Sequence, residues 1–165
     1  MSREILLTQG KIALVDDQDF EWLSQWKWYA ARDNHRFYAH RAAYVEGEVR
    51  QATVRMHRVI MYAPHGVLVD HRDGDGLNNT RDNLRLCNNK QNCHNQGIAI
   101  NNKSGYRGVS WETRYGKWRA IIMVDGKLRS LGYHATPEEA AVAYDAAARE
   151  LHGEFARLNF KETTL

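Results

Sequence analysis

Asp70 and His71 stand side by side at the end of the apolar, β-branched run "GVLVDH", and the polar stretch "RDGDGLNNTRDN" follows. An aspartate offers a hard oxygen to a cation such as Mg²⁺. Histidine's ordinary pKa leaves it a neutral base near pH 7. Phosphodiester hydrolysis needs both functions: a base to activate water, and a cation on the phosphate and the leaving oxygen. Neighbouring strand residues point to opposite faces, so the pair converges only where the strand ends or bends, which the loop from Arg72 permits. A second ligand has to come from further along. Asn92, in "KQNCHN", would supply a neutral amide oxygen, with His94 and Asn95 as alternates because the register there is open. A zinc site of Cys87, Cys93 and His94 is a rival, but C-x₅-C-H is not a common zinc spacing. An asparagine-rich loop with an incidental histidine is the plain alternative.

A second set of residues could bind rather than cut. From 104 to 134 the chain carries Arg107, Arg114, Lys117, Arg119, Lys127 and Arg129 against only Glu112 and Asp125. The runs "YRGVSWE", "KWRAIIMV" and "KLRSLGYH" read as three strands, with turns at "RYGK" and "DGK". A helix follows with explicit boundaries. Thr136 is the N-cap, Pro137 fits the first turn, Glu139 completes a capping box, and Gly153 stops it. Ala140, Ala143, Ala147 and Leu151 form the stripe expected to lie on the sheet. The other sheet face stays open, and a two- or three-stranded β surface can enter the major groove of duplex DNA. Trp111, Arg114, Tyr115, Arg119, Lys127 and Arg129 suit that face, and Arg107 lies near the start of the first strand.

The remaining elements must position these two sets. "REILLTQGKIALVD" reads as a hairpin around Gln9-Gly10. Trp22, Trp26 and Trp28 suggest a small aromatic core, with base stacking as the other use. Two strands joined near Glu46-Gly47 lead into a short helix, "VRMHRVIM", whose His57 and Arg58 could touch DNA. His35, His40 and His65 have no such company. "NLRLCNNKQNCHNQ" reads as one helix after the polar loop, and "GIAINNK", residues 97–103, as the connector. The expected domains are 1–96, 97–103 and 104–160.

Bulk properties add less. A formal net charge of +3 in 165 residues does not by itself indicate nucleic acid. Two cysteines six apart give no disulfide framework. No apolar run approaches a membrane span, and "MSREILLTQGK" lacks a signal-peptide core, so a soluble cytoplasmic protein is expected.

The pattern "VDH…DGDGLNN…DNLRL…KQNCHN" resembles the HNH nucleases, most closely the homing-endonuclease branch of phages and mobile introns. The resemblance implies a ββα-metal motif over about 66–96, with Asp70 as first metal ligand, His71 as general base and Asn92 as last ligand. It implies that Asn83 pins the loop and that Arg85 contacts phosphate. Asp and Asn stand where zinc- or nickel-binding relatives have histidines, and all-oxygen ligation favours Mg²⁺ or Mn²⁺. The stretch 106–160, with "YRGV", "LG", "TPEEAAVAYDAAA" and "LNF", is similar to the plant ethylene-response-factor, or APETALA-type, DNA-binding domain. Ser110 departs from that family, which usually has arginine there, and only Arg107 maps cleanly.

The reading is therefore an α+β chain. A small β-rich N-terminal region leads into the ββα-metal motif, and a three-stranded antiparallel sheet then packs on one C-terminal helix. It is expected to be a Mg²⁺- or Mn²⁺-dependent endonuclease acting on double-stranded DNA; the sequence leaves its oligomeric state open, with a monomer favoured. The rivals are a non-catalytic DNA-binding regulator that retains an HNH fold, and a protein-interaction module.

Overall fold

The computed structural model describes residues 1–33, 35–44, 51–95, 98 and 101–160, with the side chains of Gln51 and His94 left aside. It is mixed α/β, with several small antiparallel sheets and a C-terminal helix. Two compact units divide the chain, Met1–Asn92 and Cys93–Leu165.

In the first unit, β1 (Ser2–Leu6) and β2 (Ile12–Asp16) form the expected hairpin, with Gln9 at φ 67° and Gly10 at φ 66° in the turn. Helix α1 (Asp17–Leu23) follows directly. Strands β3 (Tyr29–Asp33), β4 (Arg36–Tyr44) and β5 (Gln51–Arg55) make an antiparallel sheet. The turn expected near Glu46-Gly47 lies outside the described residues. Helix α2 (Met56–Ile60) realises "VRMHRVIM" as a short element. The core gathers Ala13, Val15, Leu23, Trp28, Ala39, Met56 and Ile60. Of the three tryptophans only Trp28 is fully inside, where its indole N–H donates to the Leu23 carbonyl at 2.8 Å.

Strand β6 (Leu68–His71) carries the Asp-His pair, and it pairs antiparallel with β7 (Leu84–Cys87). This corrects the single helix expected over "NLRLCNNKQNCHNQ". Arg85 sits opposite Asp70 in the ladder, and that cross-strand ion pair with the buried Leu84 and Cys87 favours a strand. Only Asn89–His94 is helical, as α3.

The second unit holds β8 (Val109–Glu112), β9 (Lys117–Val124) and β10 (Lys127–His134) in the order β10-β9-β8. Helix α4 (Pro137–His152) covers one face. The Thr136 hydroxyl accepts from Glu139 N–H at 3.2 Å, and the Glu139 carboxylate accepts from Ala135 N–H at 3.0 Å. The buried stripe is Ala140, Ala141, Tyr144, Asp145 and Ala148, rotated from the one expected. Leu151 is exposed, because the helix seats Tyr144 against Gly108. A Cβ on Gly108 would lie 2.1 Å from that ring, and its φ of +70° also requires glycine. Asp145, itself buried, accepts from the Asn159 and Phe160 N–H groups, while the Asn159 side chain bonds Arg107 N–H and carbonyl. This network accounts structurally for the "YD" and "LNF" pieces of the motif. Of the 97–103 connector, residues 97, 99 and 100 lie outside the described set.

Candidate functional site

One cavity of about 220 Å³ in the first unit is lined by Asp70, His71 and Asn92 together with Asp33, Arg36, Tyr38, His40, Arg55, His57 and Arg58. Each wall has a sequence cause. The β6 strand ends at His71, where a turn begins, so Asp70 and His71 both reach the cavity. Asn92 arrives from α3.

The polar loop after His71 is held rigidly. Asn83, nearly buried, receives Asp73 N–H on its amide oxygen at 3.0 Å. It donates to the Asp73 carboxylate at 3.0 Å and the Asn78 carbonyl at 2.8 Å. These bonds tie the two ends of the loop together. Leu14 N–H donates to the Leu77 carbonyl and Asn79 N–H to the Leu14 carbonyl, which stitches the loop to β2. Arg81 forks onto the buried Asp19 with two bonds of 2.7 Å. Gly76 passes so close to β4 that a Cβ would lie 2.4 Å from the Phe37 carbonyl and 2.5 Å from the Tyr38 ring.

Asp70 is 4% exposed, and its Oδ2 accepts from Arg85 Nε at 2.8 Å and Nη2 at 2.6 Å. Arg85 is itself buried, so its guanidinium is committed to Asp70 in this structure. His71 is buried between Tyr38 and His57, with ring centroids 5.8 Å and 5.1 Å away. Burial lowers its pKa from the ordinary histidine value, against the opposing pull of Asn79 and of Asp73, Asp70 and Asp75. His57 is pushed down to about 3 by burial, with His71, Arg55, His40 and Arg58 adding to the effect. His40 is lowered by burial and Arg55. The cavity thus keeps its imidazoles neutral near pH 7.

Sequence reasoning missed this second wall. Arg36, Tyr38, His40 and Arg55 come from β4 and β5, far from the motif in sequence, and single-sequence spacing carries no signal for them. His57 was singled out for DNA contact, but it is packed beside His71. Arg58 donates to the Val67, Ala63 and Pro64 carbonyls, so it braces the chain before β6. Asn79 was also missed; it is wholly buried with its amide donating to the Leu77 carbonyl at 3.0 Å.

The donor set fits a hard divalent cation. A carboxylate and an amide oxygen line one cavity, and Mg²⁺ is often held by one or two protein groups with water and phosphate completing its shell. Among the described residues there is no cluster of three His, Cys, Asp or Glu side chains suited to a metal. Cys87 is a buried thiol whose pKa rises to about 11 through burial, with Asp70 adding to the rise, which disfavours the thiolate that zinc needs. The alternate ligand His94 has its side chain outside the described set. Asn95 is buried in the second unit, where Arg157 donates to its carbonyl.

In the second unit, register decides which residues share a face. Val109 pairs with Ala120, Trp111 with Trp118, Arg129 with Ile122 and Lys127 with Val124. Trp111, Lys127 and Arg129 therefore lie on the helix side of the sheet, at its exposed margins, and not on the open face expected for them. Arg119 does lie on the open face, opposite Ser110 and Tyr133. Tyr115 packs against Tyr133 with tilted rings, at 4.7 Å between centroids, and Arg114 lies over Tyr115 at 5.5 Å. Arg107 is half-buried beside Tyr144.

Comparison with known proteins now adds to this geometry. An HNH endonuclease family model matches residues 54–94, the span of β5 through α3. An HNH endonuclease, L560, of Acanthamoeba polyphaga mimivirus is 31% identical over 161 residues, covering 92% of this chain and 76% of its own. The chain belongs to the HNH endonuclease family. Protein 3.8 of Escherichia phage T7 is 39% identical over 94 residues, 57% of this HNH chain and 77% of the phage protein. An AP2 domain model matches residues 104–154, so this HNH family member also carries an AP2 domain. Dehydration-responsive element-binding protein 2C of Arabidopsis thaliana is 45% identical over 71 residues, 42% of this chain and 20% of the plant protein. Among the described residues no helix is long and apolar enough to cross a membrane.

Proposed function

We propose that the protein is a metal-dependent endonuclease of homing type that cuts double-stranded DNA, with a nuclease region over 1–96 and a DNA-binding domain over 104–160. The observation that carries this reading is the joint lining of one cavity by Asp70, His71 and Asn92. His71, neutral through burial, takes a proton from water as the water attacks phosphorus. The rings of Tyr38 and His57 pack against it and fix its orientation. Asp70 and Asn92 would hold Mg²⁺ or Mn²⁺, which when bound supplies charge stabilisation at the phosphate and the departing 3′-oxygen. Arg85 aims the Asp70 carboxylate through two hydrogen bonds, in place of the phosphate contact expected for it. Arg36 and Arg55 offer cationic groups on the opposite wall for the strand being cut. The AP2 sheet holds the duplex.

The buried Arg85–Asp70 pair is also the observation that favours a second reading. A guanidinium satisfying the carboxylate without metal would suit a DNA-binding regulator that retains the fold and never cuts. Nicking of supercoiled plasmid separates the two, using wild type, His71→Ala and an EDTA control, with DNA binding measured in parallel. Nicking by wild type that both His71→Ala and EDTA abolish, while binding survives, supports the nuclease. Binding without nicking, on plasmid and on DNA from the source genome alike, supports the regulator.

A further inference from the structure

The open face of the AP2 sheet has a composition that the sequence does not display. By register it carries Ser110 and Glu112 from β8, Lys117, Arg119, Ile121 and Met123 from β9, and Leu128, Ser130 and Tyr133 from β10. The face is divided along its length. At one end Lys117 opposes Glu112, and Arg119 lies between Ser110 and Tyr133. At the other end Met123 opposes Leu128, and Ile121 opposes Ser130. Met123 and Leu128 are 47% and 61% exposed, and the core on the far face does not use them. An antiparallel sheet with one solvated face normally makes that face polar.

Duplex DNA suits both ends. Guanine is read by Arg or Lys and adenine by Asn or Gln, and the apolar end offers none of these at 121, 123, 128 or 130. The base-edge group that an aliphatic side chain matches is the thymine C5-methyl in the major groove. Arg119, Lys117 and the nearby Arg114 supply the phosphate contacts that would set the register of the sheet on the duplex. We propose that this face recognises thymine methyl groups, with Ile121, Met123 and Leu128 as the specificity-determining residues. The inference rests on the reading that the AP2 domain binds duplex DNA.

The test uses the full chain in EDTA, so that nothing is cut. Duplexes are selected from a random pool, and deoxyuridine then replaces thymidine in the enriched sequence. Removal of one contacted methyl weakens wild-type binding about fourfold. The doubly substituted Met123→Ala/Leu128→Ala chain loses most of that discrimination. Arg119→Ala weakens binding to all duplexes and keeps it. Equal affinity for the uridine and thymidine duplexes, or discrimination that survives in the double variant, overturns the proposal and leaves DNA binding intact. A chain that enriches no duplex, and instead self-associates through Met123 and Leu128, overturns the DNA-binding reading as well.

Discussion

The cleft of the first unit and the AP2 sheet place their side chains in opposite ways. Asp70 and His71, which line the cleft, and Arg85 and Asn83, which brace Asp70 and the loop after His71, are all below a tenth exposed. On the sheet, Arg114, Tyr115, Met123 and Leu128 are exposed; the strand ladder sets where Met123 and Leu128 point, while Tyr115 packs on Tyr133 and Arg114 lies over Tyr115. Desolvation strengthens charge interactions and lowers the basicity of a histidine, which chemistry can use. A recognition surface must instead stay open, and it relies on a stiff backbone beneath it. Removing a cleft residue should therefore damage turnover or folding, while removing a sheet residue should damage affinity.

The largest expected contrast is kinetic. Asp70→Ala or Asn92→Ala should lower the cleavage rate at saturating DNA by roughly 10²-fold or more, the scale on which such electrostatic contributions act. Arg119→Ala should leave that rate within about twofold and raise Kd at every sequence, with the salt dependence of binding falling by about one. Single-turnover cleavage and salt-titrated binding separate the two, and equal effects of the two classes on affinity would break the contrast.

Next comes stability. Arg85→Ala strands the Asp70 carboxylate in a buried site and should cost about 3–5 kcal/mol in urea unfolding. A loss below about 1 kcal/mol would show a solvent-facing arginine. Gly108→Ala, which drives a methyl into Tyr144 at positive φ, should cost about 1–3 kcal/mol, confined to the second unit. Hydrogen exchange by region reads that confinement.

The most gradual effect is a pH slope. His57 has a folded pKa of about 3 against an ordinary 6.5, so below 6.5 the unfolded chain binds the extra proton. Stability from this group is fully present above pH 6.5 and is lost as pH falls toward 3, at about 1.4 kcal/mol per pH unit. His57→Phe should flatten that slope in the first unit. An unchanged slope would mean that other groups carry the acid sensitivity.

Much of this molecule was legible in its sequence, but unevenly. Thr136, Pro137 and Glu139 announced α4, because capping chemistry is local. The Asp70, His71 and Asn92 convergence was legible because the motif confines it to some twenty residues. The ββα motif of the resemblance implied a second strand, but the residues around Arg85 read alone as helix, since the reason for β7, Arg85 opposite Asp70, is a partner fifteen residues away. The Arg36, Tyr38, His40 and Arg55 wall was illegible for the same cause over longer distances. Trp111, Lys127 and Arg129 were assigned to the wrong face because a bare strand pattern does not say which parity the core takes. Ala120 and Ile122 settle it by packing on α4.

The central claim is that His71 is the base at a working cleavage site, and chemical rescue tests it most directly. His71→Gly leaves room for a small base in the cavity, and nicking is followed in Mg²⁺ with and without added imidazole. The account predicts that wild type nicks, that His71→Gly binds DNA but is silent, and that imidazole restores part of the rate. His71→Gly nicking at the wild-type rate without imidazole would contradict it.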